Sequence, residues 1–159
     1  MPRTALPLVL LALAALLVVV VLRGHRSSGP PAGVVRASWT LTPGVVNPDV
    51  TQATIRQTIC RRGWTKTIRP PSSYTDALKR KGLVQYGLRG PPSAYQEDHL
   101  ISLELGGNPT DPRNLWPEPY PRAAAVDKIE NQLNEAVCSG RLTLAQAQRE
   151  ESGLKHRDG

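Results

Sequence analysis

Gln96–Gly107 reads QEDHLISLELGG, and Asn114–Pro119 reads NLWPEP. From Gln96 to Leu105 polar and apolar residues alternate. His99, Ile101, Leu103 and Leu105 share one face of a strand, and Asp98, Leu100, Ser102 and Glu104 share the other. Gly106-Gly107 ends the strand. A loop, NPTDPR, then leads to Asn114-Leu115-Trp116-Pro117, which predicts a second short strand. Ala123, Val126, Ile129, Leu133 and Val137 follow near helical spacing and predict a helix from about Arg122 to Val137. Cys138-Ser139-Gly140 closes that helix, and Thr143 caps a last short one, LAQAQREE. The order strand, loop, strand, helix predicts an α+β fold with additional helices around a small core.

The upstream half is read in the same way. Asn47-Pro48-Asp49 predicts a helix start, with Asn47 as cap, Pro48 at the first helical position and Asp49 in the first turn. Val50, Ile55 and Ile59 give it a partial apolar stripe, and Gly63 follows its end. Trp64 to Arg69 (WTKTIR) predicts a short strand or extended segment, stopped by Pro70-Pro71. Ser73 or Thr75 then caps a second helix running to about Tyr86. The 159 residues contain no Phe, 15 Pro and 13 Gly, which argues for a mostly aliphatic core and against a long coiled coil or a helical repeat array.

Ala5 to Leu22 holds no charged, amide or hydroxyl side chain. Its 18 residues, at about 1.5 Å rise each, would span about 27 Å of bilayer. The reading is one N-terminal transmembrane helix over residues 1–22, an uncleaved signal anchor, with a secreted product after signal cleavage as the alternative. Residues 23–33 read as a flexible tether, 34–152 as the folded domain and 153–159 as a disordered tail. The domain is expected on the extracytoplasmic side of the cell membrane. Cys60 and Cys138 are the two cysteines, with no zinc-type spacing between them. They are either two reduced buried thiols or one disulfide, and export to an oxidising compartment favours the disulfide.

Charge is segregated along the chain. Thr54 to Gly90 carries nine Lys or Arg against Asp76 alone, whereas Pro91 to Glu135 carries three against eight acids. With a formal charge of +7, this balance suits a polyanionic partner. Arg61, Arg62, Lys79, Arg80 and Lys81 are the candidates for contact with nucleic-acid phosphates.

The stretch Glu97-Asp98-His99 through Gly106-Gly107, with Asp111-Pro112-Arg113-Asn114-Leu115, resembles the first half of the HNH endonuclease motif, carried on a ββα-metal fold. DHLISLELGG with NLWPEP looks more particularly like a group of small exported bacterial proteins of HNH type. That likeness extends to the TPG, TIC–RGWT and VCSG–LTLAQAQ segments. The resemblance implies that His99 is a general base, that Asn114 bonds across the loop and fixes the His99 ring, and that Asp98 holds a divalent cation. Carboxylate ligands favour Mg²⁺ or Mn²⁺. The following helix departs from the family pattern, because it has no His. Asp127 is the nearest replacement ligand, with Glu130 and Asn131 one turn on.

These readings set the functional expectation. The first is a membrane-tethered or exported metal-dependent phosphodiesterase, a nuclease cutting DNA or RNA with little sequence preference and with no small-molecule cofactor. The second is a catalytically inactive module on the same scaffold that binds nucleic acid or another envelope polyanion. A glycan hydrolase using Glu97, Glu104 or Glu118 is disfavoured, since nothing in the sequence sets two of these acids across a cleft.

Overall fold

The structure is a computed structural model that describes residues 34–159. The signal-anchor and tether readings lie outside the described residues. No described helix is long and apolar enough to cross a membrane. Among the described residues the fold is α+β, with four helices around one two-stranded antiparallel sheet.

Strands β1 (Tyr95–His99) and β2 (Leu115–Pro119) pair with Gln96 opposite Glu118, Asp98 opposite Trp116 and His99 opposite Leu115. One further bond, from Leu100 N–H to the Asn114 carbonyl at 2.8 Å, extends the ladder. The chain then bends, and Leu103–Leu105 forms a 3-10 turn. The strand expected to reach Leu105 therefore stops at His99. The cause is that side chains take the next backbone groups. The Asn114 carboxamide bonds both the N–H and the carbonyl of Ile101, and the Glu151 carboxyl accepts the Ser102 N–H. Leu100 and Ile101 are both buried, in different apolar clusters, so the alternation does not separate a wet face from a dry one.

Gly106-Gly107 makes the expected turn. Gly106 has φ +75°, and a Cβ there would lie 2.5 Å from Val50 Cγ1. At Gly107 a Cβ would lie 1.7 Å from the Ile101 carbonyl oxygen. Only glycine allows the loop to close this tightly against Ile101.

Three upstream expectations are corrected. The stretch after Asn47 is a succession of turns, not a helix. Asn47 Oδ1 accepts the Asp49 N–H at 3.0 Å, and the Thr54 hydroxyl accepts the Thr51 N–H at 2.8 Å. These local side-chain bonds compete with a helical ladder, although Val50, Ile55 and Ile59 are buried as the stripe requires. Trp64–Ile68 is a short helix, α1, where a strand was expected. Its Trp64 packs on the main core, so tertiary context overrides the β-branched composition. Helix α2 (Ser72–Gln85) starts at Pro71 as N-cap, and neither Ser73 nor Thr75 caps it. The Thr75 hydroxyl instead donates back to the Ser72 carbonyl. Helix α2 lies on both strands, and Gly82 brings it so close to Pro117 that a Cβ would lie 2.9 Å from Pro117 Cδ.

Helix α3 (Tyr120–Cys138) follows β2 directly, where a helix was expected. Helix α4 (Leu144–Arg157) opens with a capping box: Thr143 Oγ1 accepts the Gln146 N–H, and Gln146 Oε1 accepts the Thr143 N–H. It does not end near Glu151. The tail expected to be disordered is helical through Arg157. Lys155 is fully buried, and His156 Nε2 lies 3.0 Å from the Thr42 carbonyl. The His156 ring also stacks on Trp39 with centroids 3.5 Å apart.

Ile55, Ile59, Leu105, Leu133, Val137 and Ala147 form the centre of the main core. Cys60 and Cys138 are joined at its edge, with Cα atoms 5.5 Å apart. The disulfide ties the irregular segment before α1 to the end of α3.

Candidate active site

His99 closes β1 and is buried. Its Nε2 lies 3.1 Å from the Pro109 carbonyl oxygen, which can only accept, so Nε2 donates. The proton therefore sits on Nε2, and Nδ1 keeps its lone pair. Burial pushes the imidazole pKa below its usual value, against the Pro109 hydrogen bond that would raise it. The ring is thus neutral at physiological pH.

Asn114 fixes the frame around that ring, and it is fully buried. Its Oδ1 accepts from Ile101 N–H at 3.0 Å and from Val45 N–H at 3.3 Å. Its Nδ2 donates to the carbonyls of Ile101 and Asn108, both at 3.0 Å. One carboxamide therefore joins the chain just after His99 to the residue before Pro109, whose carbonyl holds the His99 ring. Asn114 thus bonds across the loop.

A polar cleft of about 360 Å³ opens here, lined by Arg69, Gln96, Asp98, His99, Ser102, Glu104, Asp127, Glu130 and Asn131. Asp98, His99 and Asp127 thus line one cavity. Glu104 is shared with a neighbouring groove lined by Arg61 and Arg62. Arg80 and Lys81 lie elsewhere, along a groove on helix α2. Lys79 is half-buried and paired with Asp76 at 3.2 Å. The five basic residues therefore do not share one groove: Arg61 and Arg62 adjoin the cleft, whereas Arg80 and Lys81 flank a separate one.

The residue that sequence reasoning missed is Lys155. Its ammonium lies 2.8 Å from Asp98 Oδ2, 2.6 Å from Glu130 Oε1, 2.6 Å from the His99 carbonyl and 3.4 Å from Glu151 Oε1. Burial opposes its charge, but Asp98, Glu151 and Glu130 overcome that cost and hold its pKa well above the usual lysine value. Burial also works against the charge of Asp98, yet Lys155 outweighs it and lowers the Asp98 pKa. The result is a buried ion pair with further carboxyl groups stacked around it. Glu130 is pushed up to about 9 and Glu118 to about 8, chiefly by burial. Glu118 is 1% exposed, and neither of its carboxyl oxygens has a hydrogen-bond partner.

Arg69 belongs to the basic segment but carries no signal of its own in the sequence. It ends α1 with an extended backbone before Pro70, and this sets its side chain along the cleft. It is an exposed cation of the cleft wall whose charge acts on Glu104 and Asp127. Burial raises the pKa of Glu104 against the pull of Arg69. Asp127 is raised as well, by desolvation and by the charge of Asp98.

The donor set is one of hard oxygens, which suits Mg²⁺ or Mn²⁺ in kind. The arrangement does not fit a cation held by Asp98, because Asp98 Oδ2 and Glu130 Oε1 are already bound to an ammonium. Among the described residues, no three His, Cys, Asp or Glu side chains are grouped to hold a metal ion. No family model, curated protein or solved structure matches the chain.

Proposed function

We propose that the protein is an HNH-type phosphodiesterase on a ββα-like core, acting on nucleic acid with little sequence preference. The observation that carries this reading is the state of His99. It is a neutral imidazole with Nε2 tied to Pro109, framed by Asn114 and lining a polar cleft. Such a group takes a proton from a water molecule at Nδ1. The water oxygen bonds to phosphorus, the ester P–O bond breaks, and the leaving oxygen is protonated by solvent. Arg69 is placed to hold a phosphate oxygen in the same cleft, since a guanidinium suits phosphate geometry. Arg61 and Arg62, in the adjoining groove, supply sequence-independent contacts to the flanking backbone.

A second reading, a module that binds a polyanion without cutting it, is favoured by one observation: Lys155 already holds Asp98. The two readings part in one assay. The full chain, purified in detergent, is incubated with plasmid DNA and with RNA, each with Mg²⁺, with Mn²⁺ and with chelator. Cleavage in any condition that His99→Ala abolishes supports the phosphodiesterase. Salt-sensitive binding without cleavage in every condition selects the binding module.

Placement outside the cytoplasm, tethered by residues 1–22, is part of the same proposal. The Cys60–Cys138 bond supports it, since such bonds persist in oxidising compartments.

A further inference from the structure

We propose that Lys155 is a positioning residue that takes the place of a divalent ion at Asp98, so that the His99 site keeps its geometry without metal. This rests on the reading of the His99 cleft as the reaction site. Four observations carry it. The ammonium is wholly buried, so its charge is not dispersed into water. It contacts the Asp98 carboxylate of β1 and the Glu130 carboxyl group of α3, which come from different elements. It also donates to the carbonyl of His99 itself, at 2.6 Å. Finally, it comes from α4, so a single side chain links the strand of the base, the helix after β2 and the C-terminal helix.

A cation between oxygens of Asp98 and Glu130 is what a divalent ion would supply. Here the cation is covalently part of the chain and cannot be lost to a chelator. An ion entering at Asp98 would have to separate a buried ammonium from its charged partner, at large cost. The ammonium therefore excludes metal and holds the strand end in place. Because it has no exposed surface, it does so without touching substrate.

Mn²⁺ binding tests this apart from cleavage. The full chain in detergent is titrated with Mn²⁺ and followed by electron paramagnetic resonance. The wild type is expected to bind no Mn²⁺ that depends on Asp98. Lys155→Ala vacates the carboxylates and is expected to gain a site at least tenfold tighter, which adding Asp98→Asn removes. Stoichiometric Mn²⁺ on the wild type that Asp98→Asn abolishes overturns the proposal, and so does a folded Lys155→Ala that gains no site. Should Lys155→Ala fail to fold, the wild type still decides through its cleavage in chelator. Cleavage there at the rate seen with Mg²⁺ supports the resident cation. Cleavage only with added metal overturns it but leaves the phosphodiesterase standing. No cleavage under any condition removes the phosphodiesterase, and the Mn²⁺ titration of the wild type still judges Lys155.

Discussion

Asn114 brackets Ile101: one carboxamide accepts the Ile101 N–H at 3.0 Å and donates to the Ile101 carbonyl at 3.0 Å. A side chain thus serves as the strand partner that β1 lacks beyond Leu100. It closes off the sheet just after His99 and sets the loop that holds the His99 ring.

Asn114→Ala removes four hydrogen bonds to backbone groups, of which the two to Ile101 are buried. A loss of about 3 kcal/mol in unfolding free energy is expected, since buried donors and acceptors would be left unpaired. Chemical denaturation measures it. Cleavage should fall as well, while the affinity for nucleic acid stays within about twofold, because the binding cations are not attached to this loop. A variant as stable as the wild type would show that Asn114 does not frame the site.

His99→Ala is expected to lower cleavage by about 10² or more, the scale of a lost general base. The pH profile carries a second expectation. The folded pKa of His99 lies below its ordinary value, so the neutral base persists as the pH falls past the usual histidine range. The acid limb of the cleavage profile should therefore have its midpoint below the ordinary histidine value. Burying a neutral imidazole also gives stability that is present above the unfolded pKa and is lost as the pH falls. A midpoint at or above the ordinary histidine value would contradict the buried, neutral ring.

The Cys60–Cys138 bond closes a loop of 78 residues. Chain-entropy arithmetic gives roughly 4 kcal/mol for a loop of that length. Thiol labelling of unreduced, denatured protein should find no free cysteine. Reduction should lower the midpoint of urea denaturation by a comparable free energy. Two reactive thiols before reduction would rule the bond out.

The sequence was most legible where one residue type permits one geometry. Gly106-Gly107, the Pro-bounded second strand, the Thr143 cap and the α3 stripe all follow from local rules, and the structure has each of them. The extent of β1 was not legible, because its end is set by Asn114 and Glu151, 13 and 49 residues from the backbone groups they bind. The helix reading after Asn47 failed because Asn and Thr side chains offered the backbone nearer partners. Lys155 was the largest omission. In ESGLKHR a lone Lys among polar residues looks like a solvated end. Only the fold shows Asp98, Glu130 and Glu151 converging on it.

Glu118 makes stability fall with rising pH. Its carboxyl is buried without a hydrogen bond, and burial, then the neighbouring Asp98 charge, raises its pKa from 4.5 to about 8. The neutral form is the one that the fold accepts. A raised folded pKa gives stability that is fully present below the unfolded value of 4.5 and is eroded as the pH climbs through about 8. Thermal melting at pH 5 and pH 8.5 should therefore show the lower midpoint at pH 8.5. Glu118→Gln keeps the shape and removes the titration. It should recover about 2 kcal/mol at pH 8.5 and little at pH 5, because a tenfold change in proton affinity is worth about 1.4 kcal/mol and the buried site relaxes in part around the charge. Asp98 works the other way: the Lys155 pair lowers its pKa, so the stability it contributes is present above the unfolded carboxylate range and is lost as the pH falls through the lowered folded value. If Glu118→Gln leaves the alkaline decline unchanged, the decline belongs to Glu97 or Glu130, whose pKa values are raised to about 8 and about 9. Glu130→Gln would then separate those two, since it alone also removes a partner of Lys155.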